Sequence, residues 1–310
     1  MAQHIGSNHH EVIISQKEFV HFIDDFVWHA DEPLADLASI PLYFVSKLAS
    51  EYVKVVLSGE GADETLAGYN LNALAKKLTS LKFFNFLPSS LLKHFPFSSL
   101  KNLAKVGYTN FLKENPIHIT NVFSEDEKKK LSLFSAQKSS LKYIQELYEK
   151  NISLEPIDQL QEVYCKSWLV EDLLMKADKM SMATSLELRV PFLDHKLVEW
   201  CATLPLEWKV GSLSKGFTTK HILRSFAEKR IPREIITRPK QGFPVPAYHW
   251  IQSDLFDFAK ENLASKHLTN FFHKNILDTL LEKLKNGDQH TAHQVWSLII
   301  LNRWMRRWNV

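Results

Sequence analysis

Three carboxylates, Glu60, Asp63 and Glu64, crowd the run SGEGADE at residues 58–64, together with Gly59 and Gly61. Glycines there let the backbone approach a ligand closely, and the free N–H groups at the start of a following helix favour an anion. The acids would repel a bare phosphate, yet they suit one bridged to them by Mg²⁺. On the residues alone the run is a nucleotide site, or else a helix behind a tight turn whose acids complement its positive end.

The elements that must position this run are legible on either side of it. Residues 53–57, VKVVL, form a β-branched run of the kind buried on both faces in a parallel sheet, so strand, loop and helix follow one another. Residues 11–14 are a short β-prone run. After it, Phe19, Phe22, Ile23, Phe26 and Val27 recur at helical spacing. Leu42, Val45, Leu48 and Ala49 mark one face of the helix expected before the second strand. Helices alternating with short apolar strands predict an α/β sheet. From about residue 70 leucines at intervals of three and four dominate and strand runs disappear, so the remainder is expected to be helical. Pro88, Pro96, Pro116 and Pro156 punctuate it, and the charged cluster at residues 125–130 reads as an exposed helix start or turn. The final run VWSLIILNRWMRRWNV mixes tryptophan with arginine. Its apolar residues recur at helical spacing, which predicts a docked helix with arginines outward rather than a membrane or RNA contact.

Composition narrows the classes. The 310 residues are 45% hydrophobic and 24% charged, an ordinary globular balance. The 38 basic and 35 acidic residues leave a net charge of +3 without a dominant basic block, which speaks against nucleic acid or a membrane surface as partner. Cys165 and Cys201, with neither metal-like nor disulfide-framework spacing, fit buried thiols in a reducing, cytoplasmic setting. His9, His10 and Glu11, or His29, Asp31 and Glu32, make a poor metal site, since adjacent residues entering a strand point to opposite faces.

Four blocks together resemble one family. SGEGADETLAGY at residues 58–69 resembles the second signature of asparagine synthetases, and DLLMKADKMSMATSLELRVPFLDHKLVEW at residues 172–200 resembles their middle signature. KHILRSFAEKRIPREIITRPKQGF at residues 220–243 is similar to their carboxyl-terminal signature. HIGSNHHEVII and VWHADEPLADLASIPLY resemble the segment after the first helix of the nucleotide domain. The resemblance implies an α/β fold: a partial parallel sheet of the ATP-pyrophosphatase type, also called adenine-nucleotide α-hydrolase, with a large helical layer. Residues 1–70 would be its nucleotide-binding part and residues 71–310 its mainly helical part. It also implies an enzyme, a carbon–nitrogen ligase that uses ATP and Mg²⁺ to adenylate a carboxylate, that of the aspartate side chain, releasing pyrophosphate before ammonia from glutamine attacks. By the same resemblance Ser58 and Gly59 lie against the nucleotide and Asp63 ligates Mg²⁺. Glu60 accepts the proton of the incoming amine. Lys240 stabilises charge building on the α-phosphate, with Arg238 as a second cation. Glu187, Arg189 and Asp194, set among apolar neighbours, read instead as a buried ionic scaffold. Tyr69 either reaches the site or packs.

Family members carry a glycine-rich SGGxDS loop and a glutaminase domain upstream, and neither occurs here. Met1 therefore reads as an artificial boundary, with the glutaminase domain expected in a longer parent chain. A missing pyrophosphate cradle of three or four charge-assisted hydrogen bonds would remove about 4–6 kcal/mol of binding, roughly three to four decades of ATP affinity. The fragment is accordingly expected to be inactive. Its exposed sheet edge or apolar surface invites self-association, so a second copy is a candidate partner. Two other readings stay open: a related amidotransferase acting on a sugar acid or peptide, and a non-catalytic interaction domain. Joint retention of Glu60, Asp63 and Lys240 argues against the latter.

Overall fold

A computed structural model describes residues 1–69, 122–134, 139, 141–151, 153–211, 219–238 and 245–310. The elements that position the site are, in chain order, α1 (Gln16–His21), α2 (Ile23–Ala30), α3 (Ser39–Ser50), β1 (Val55–Leu57) and α4 (Ala62–Thr65). They continue with α5 (Pro156–Lys166), a π-helical turn (Leu169–Leu174), α6 (Met175–Met182), β2 (Glu187–Arg189), α7 (His195–Thr203), α8 (His221–Ala227), α9 (Ala247–Gln252) and α10 (Gln289–Trp308).

The amino-terminal apolar stripe behaves as its spacing predicts. Ser15 and Glu18 cap α1 reciprocally: the Glu18 N–H donates to Ser15 Oγ at 3.3 Å and the Ser15 N–H to Glu18 Oε2 at 2.8 Å. Phe19, Phe22, Ile23, Phe26 and Val27 are then all buried, in one core shared with Val295, Trp296, Ile299 and Ile300 of α10. Each fully buried side chain of this size contributes roughly 1.5–3 kcal/mol, so the packing of α2 on α10 anchors the molecule. Trp296 also donates its indole N–H to the Ala35 carbonyl at 2.8 Å, tying the loop before α3 to α10. Arg306 and Arg307 face outward as expected, Arg307 lying 4.4 Å above the Trp28 ring, whereas Arg303 is half-buried and donates from Nε to Asn262 Oδ1 at 2.9 Å. The cluster at residues 125–130 opens a helix, Glu125–Leu131, capped by Ser124 and Glu127. Pro88, Pro96 and Pro116 lie outside the described residues.

The sheet departs from expectation in three ways, and α3 in one. β1 forms at the predicted place and pairs in parallel with β2, Val55 opposite Glu187, Val56 opposite Leu188 and Leu57 opposite Arg189. The ladder extends one residue each way, Glu187 N–H to Lys54 O at 2.9 Å and Ser58 N–H to Arg189 O at 2.8 Å. β2 was not foreseen: three residues are too few to show a period of two. Residues 11–14 form no strand, and Ile13 is 89% exposed. No strand among the described residues lies beside them, and β propensity without a partner does not hold a strand. β1 is not buried on both faces either, since Val53 and Val55 are exposed and Leu57 is 74% exposed. On α3, Ser39, Ile40, Pro41 and Ser46 are buried rather than the leucine face, because α3 packs chiefly against α6. Val45 is exposed, and with Leu48 and Ala49 it lines a shallow groove beside Tyr52 and Val53.

The expected ionic scaffold is also corrected. Glu187 and Arg189 are two apart on a strand, so they share one face and pair at 2.8 Å with both side chains more than half exposed. Asp194 caps α7 instead, accepting the Lys196 N–H at 3.0 Å and the Leu197 N–H at 3.3 Å.

Candidate functional site

β1 ends at Leu57, and the chain turns through Ser58, Gly59 and Glu60 into α4, at the carboxyl end of a parallel strand where open α/β sheets place ligands. Gly61 takes a left-handed φ of 85°, and the Leu193 side chain presses where a Cβ would stand, so only glycine fits there. Gly59 differs: among the described residues a Cβ there meets nothing within 4 Å, and the cleft lies in front of it.

A four-residue helix cannot hold itself, and α4 is held from outside. Gln161 on α5 donates from Nε2 to the Glu64 and Thr65 carbonyls, both at 2.8 Å, while Thr65 Oγ1 donates to the Gly61 carbonyl at 2.8 Å. Glu64 is 1% exposed, and the Tyr69 hydroxyl donates to its carboxylate. Trp168 in turn donates its indole N–H to the Tyr69 oxygen at 3.1 Å. Tyr69 also packs on Tyr164, ring centroids 4.7 Å apart, and lines the cleft in front of the loop. Burial, then the Glu64 charge, raises the Tyr69 pKa and keeps its proton in place.

In front of the loop lies a cleft of about 830 Å³. Ser58, Gly59, Glu60 and Asp63 are among its lining residues, together with Asp36, Trp168, Asp172, Lys176, Tyr248 and His293. Glu60 Oε2 is buried without a hydrogen-bond partner among the described residues. Burial raises the Glu60 pKa, opposed first by the Lys176 ammonium and then by the Ser58 hydroxyl. Asp63 pairs with Lys220 at 3.1 Å. Lys220 precedes α8 in a left-handed conformation with φ of 51°. Lys176, buried on the first turn of α6, bonds to Asp36 and lies 3.9 Å from Asp172 Oδ2. Asp172 is raised to about 7, chiefly by burial and next by the Asp36 charge.

The cleft fits a nucleotide in two observable respects. Among the described residues, open space faces Gly59, and a buried carboxylate oxygen of Glu60 has no hydrogen-bond partner. For a metal the fit rests on Asp63 alone. No group of three or more His, Cys, Asp or Glu residues among those described is arranged to hold an ion. Mg²⁺ in nucleotide sites commonly takes one or two carboxylates and completes its shell with phosphates and water, which one acid can serve.

Four of the five expected site residues, Ser58, Gly59, Glu60 and Asp63, meet on this cleft. Lys240 lies outside the described residues, and so does the expected convergence of Lys240 with Glu60 and Asp63. Arg238 is exposed at the end of the helix Arg233–Thr237. Asp36, Gln161, Asp172, Lys176 and Lys220 went unremarked in the sequence. One signal for two of them was present, an acid and a lysine at i and i+4, Asp172 and Lys176, inside an otherwise apolar run. Cys201 is buried and Cys165 half-buried, both as free thiols, and burial pushes the Cys165 thiol up to about 12. Among the described residues no helix is long and apolar enough to cross a membrane.

Comparison with known proteins agrees with the four sequence blocks. The asparagine synthase family matches residues 1–306. Asparagine synthetase [glutamine-hydrolyzing] 1 of Bacillus subtilis is 35% identical over 97% of the chain, and asparagine synthetase [glutamine-hydrolyzing] 3 of the same organism is 28% identical over 94%. The asparagine synthetase [glutamine-hydrolyzing] of Bos taurus is 26% identical over 78%. The chain spans 48%, 45% and 30% of the lengths of these relatives, about half or less. A match running almost end to end, with the signature loop at the mouth of the cleft, settles the lineage: the chain belongs to the asparagine synthase family.

Proposed function

We propose that this chain is the synthetase part of an ATP-dependent amide-forming ligase, with the side-chain carboxylate of aspartate as acceptor and ammonia released from glutamine as the nitrogen source. The observation that carries the reading is the Ser58–Asp63 loop opening from the carboxyl end of β1 onto the 830 Å³ cleft, in a chain of this family. An acceptor carboxylate oxygen would attack the α-phosphorus of ATP and pyrophosphate would leave. Ammonia would then attack the acyl carbon and AMP would depart. Ser58 and Gly59 would present backbone to the nucleotide. Glu60 would take the proton shed by the attacking amine, and burial, which raises its pKa, makes it a better proton acceptor than a solvated carboxylate. Asp63 would hold Mg²⁺, whose charge, when bound, offsets that of the phosphates. Lys240 would stabilise charge on the α-phosphate. On this reading residues 1–70 supply the nucleotide-binding part, of ATP-pyrophosphatase type, and residues 71–310 the helical part. A glutaminase domain in a longer parent chain would deliver the ammonia.

Gly59→Val tests the reading with little risk to the fold, because no described residue stands within 4 Å of the position a Cβ would take. Binding of ATP with Mg²⁺, followed by saturation-transfer NMR into the millimolar range, should weaken by at least about tenfold, or 1.4 kcal/mol, with the unfolding midpoint unchanged. Equal binding by parent and variant would remove the loop from the nucleotide site.

A further inference from the structure

We infer that Lys220 is the positioning residue of the Asp63 carboxylate and couples divalent-cation binding to nucleotide binding: its ammonium holds Asp63 until phosphate oxygens offer it another partner. The inference rests on the reading of Asp63 as the metal-holding acid and names the group that governs access to it.

Two contacts fix Asp63. Its side chain packs so closely on the backbone of Gly68 that a Cβ there would stand 1.8 Å from Asp63 Oδ1, and the Gly68 N–H donates to the Asp63 carbonyl at 2.8 Å. The second contact is Lys220, whose Nζ lies 3.1 Å from the same Oδ1, with 23% and 24% of the two side chains exposed. Lys220 reaches Asp63 from a conformation that lysine rarely takes. Its φ of 51° crowds Cβ against the following carbonyl, and such a residue persists only where its surroundings hold it. They do so here through Arg224, which donates from Nε to the Thr219 carbonyl at 2.9 Å and from its backbone N–H to the Lys220 carbonyl at 3.0 Å.

This pair sets the terms on which a cation can use Asp63. A Mg²⁺ about 2.1 Å from that oxygen would stand no more than about 5 Å from the ammonium, and like charges so close repel. The ammonium must then withdraw, and among the described residues no other carboxylate lies within 4.0 Å of it. Lys176 cannot take over its part, being bonded to Asp36. Phosphate oxygens that share the cation supply the missing anion. A cation alone therefore competes with Lys220, whereas a cation that arrives with polyphosphate gives Lys220 a new partner.

The test uses Mn²⁺, which accepts the same oxygen ligands as Mg²⁺ and whose free fraction is read by electron paramagnetic resonance. Asp63→Asn identifies the share of Mn²⁺ binding that belongs to this acid. Without nucleotide, Lys220→Met should tighten that share by at least about fivefold. The same variant should weaken binding of Mn·ATP, followed by water-proton relaxation, by about tenfold, the scale of one charge-assisted hydrogen bond lost. Lys220→Gly removes the ammonium and suits the left-handed backbone, so it should fold at least as stably and show the same two opposite shifts. Weakening of both affinities in both variants would make Lys220 a support of the local fold and overturn the inference. Tightening of both would show that Lys220 never meets the phosphates and overturn it equally. Unchanged Mn²⁺ affinity without nucleotide overturns it whether or not the chain binds ATP, so its failure is separate from that of the nucleotide reading, which Gly59→Val tests.

Discussion

Replacing Gln161 should loosen the signature loop from behind. Its amide donates to two carbonyls, Glu64 O and Thr65 O, each at 2.8 Å, and Gln161 is buried. In Gln161→Met the shape is nearly kept while both donors go. Each buried carbonyl left without a partner costs about 1–3 kcal/mol. The two bonds come from one NH₂ group and are not additive, so the expected loss is about 2–4 kcal/mol. For a domain of this size that corresponds to a melting temperature lower by roughly 3–6 °C.

Gln161→Glu should be worse, and in a pH-dependent way. Gln161 Oε1 already has no hydrogen-bond partner among the described residues, so a carboxylate would place one oxygen in that spot and the other against two carbonyls. Burial and those oxygens disfavour the charge, which puts the folded-state pKa above the unfolded value of about 4.3. A group shifted in that direction contributes its stability fully below the unfolded pKa and loses it as pH rises through the folded one. The variant should therefore lie closest to Gln161→Met near pH 4 and fall away from it toward pH 8. Calorimetric melts of the three proteins across that range decide the matter. A Gln161→Met protein melting within about 1 °C of the parent would show that α4 does not depend on this anchor.

The other expectations are shorter. Asp172, raised to about 7 by burial and by Asp36, stabilises the fold while protonated and loses that contribution as pH rises from about 4 through about 7; Asp172→Asn should flatten the slope, and parallel urea midpoints at pH 5 and pH 8 for parent and variant would refute it. In a polypeptide carrying the further length its relatives have, Lys240→Ala should slow pyrophosphate release by about two to three decades, while Asp63→Asn should mainly raise the Mg²⁺ requirement; an unaffected Lys240→Ala rate would show that another cation serves the α-phosphate. Leu57 is 74% exposed on a strand paired on one side only among the described residues. Leu57→Lys should lower any self-association seen by light scattering, and an unchanged apparent mass would show that this edge is not the contact.

What the sequence made legible follows from the range of the forces involved. The stripe from Phe19 to Val27 and the terminal helix around Trp296 were readable because burial of one helix face repeats along the chain. The loop at Ser58 was readable because glycines and acids at a strand-to-helix junction restrict the chemistry locally. β2 was missed because its order comes from pairing with a segment over a hundred residues away, and residues 11–14 were mistaken for a strand because propensity is silent about whether a neighbour exists. Glu187 and Arg189 misled for a related reason: apolar neighbours in sequence suggested burial, whereas a strand turns alternate residues to opposite faces. Asp36, Asp172 and Lys176 could not be joined from sequence, since 136 residues separate the first from the second in numbering and only packing of α6 on α3 brings them together.

That division bears on where the site draws its precision. β1 aims the loop, but it is three residues long and exposed, so it constrains the direction of the chain more than the position of Glu60 or Asp63. Position is set by the helical layer: Gln161 holds the end of α4, Trp168 and Tyr69 fix Glu64, Leu193 closes on Gly61, and Lys176 reaches the cleft from α6. A site so held should be sensitive to changes that never touch a ligand. Gln161→Met, distant from the mouth of the cleft, should then disturb nucleotide binding more than Leu57→Lys, although Leu57 stands next to the loop in sequence. ATP titrations of both variants at equal folded fraction compare them directly, and a larger defect in Leu57→Lys would mean that the strand, not the helical layer, fixes the loop.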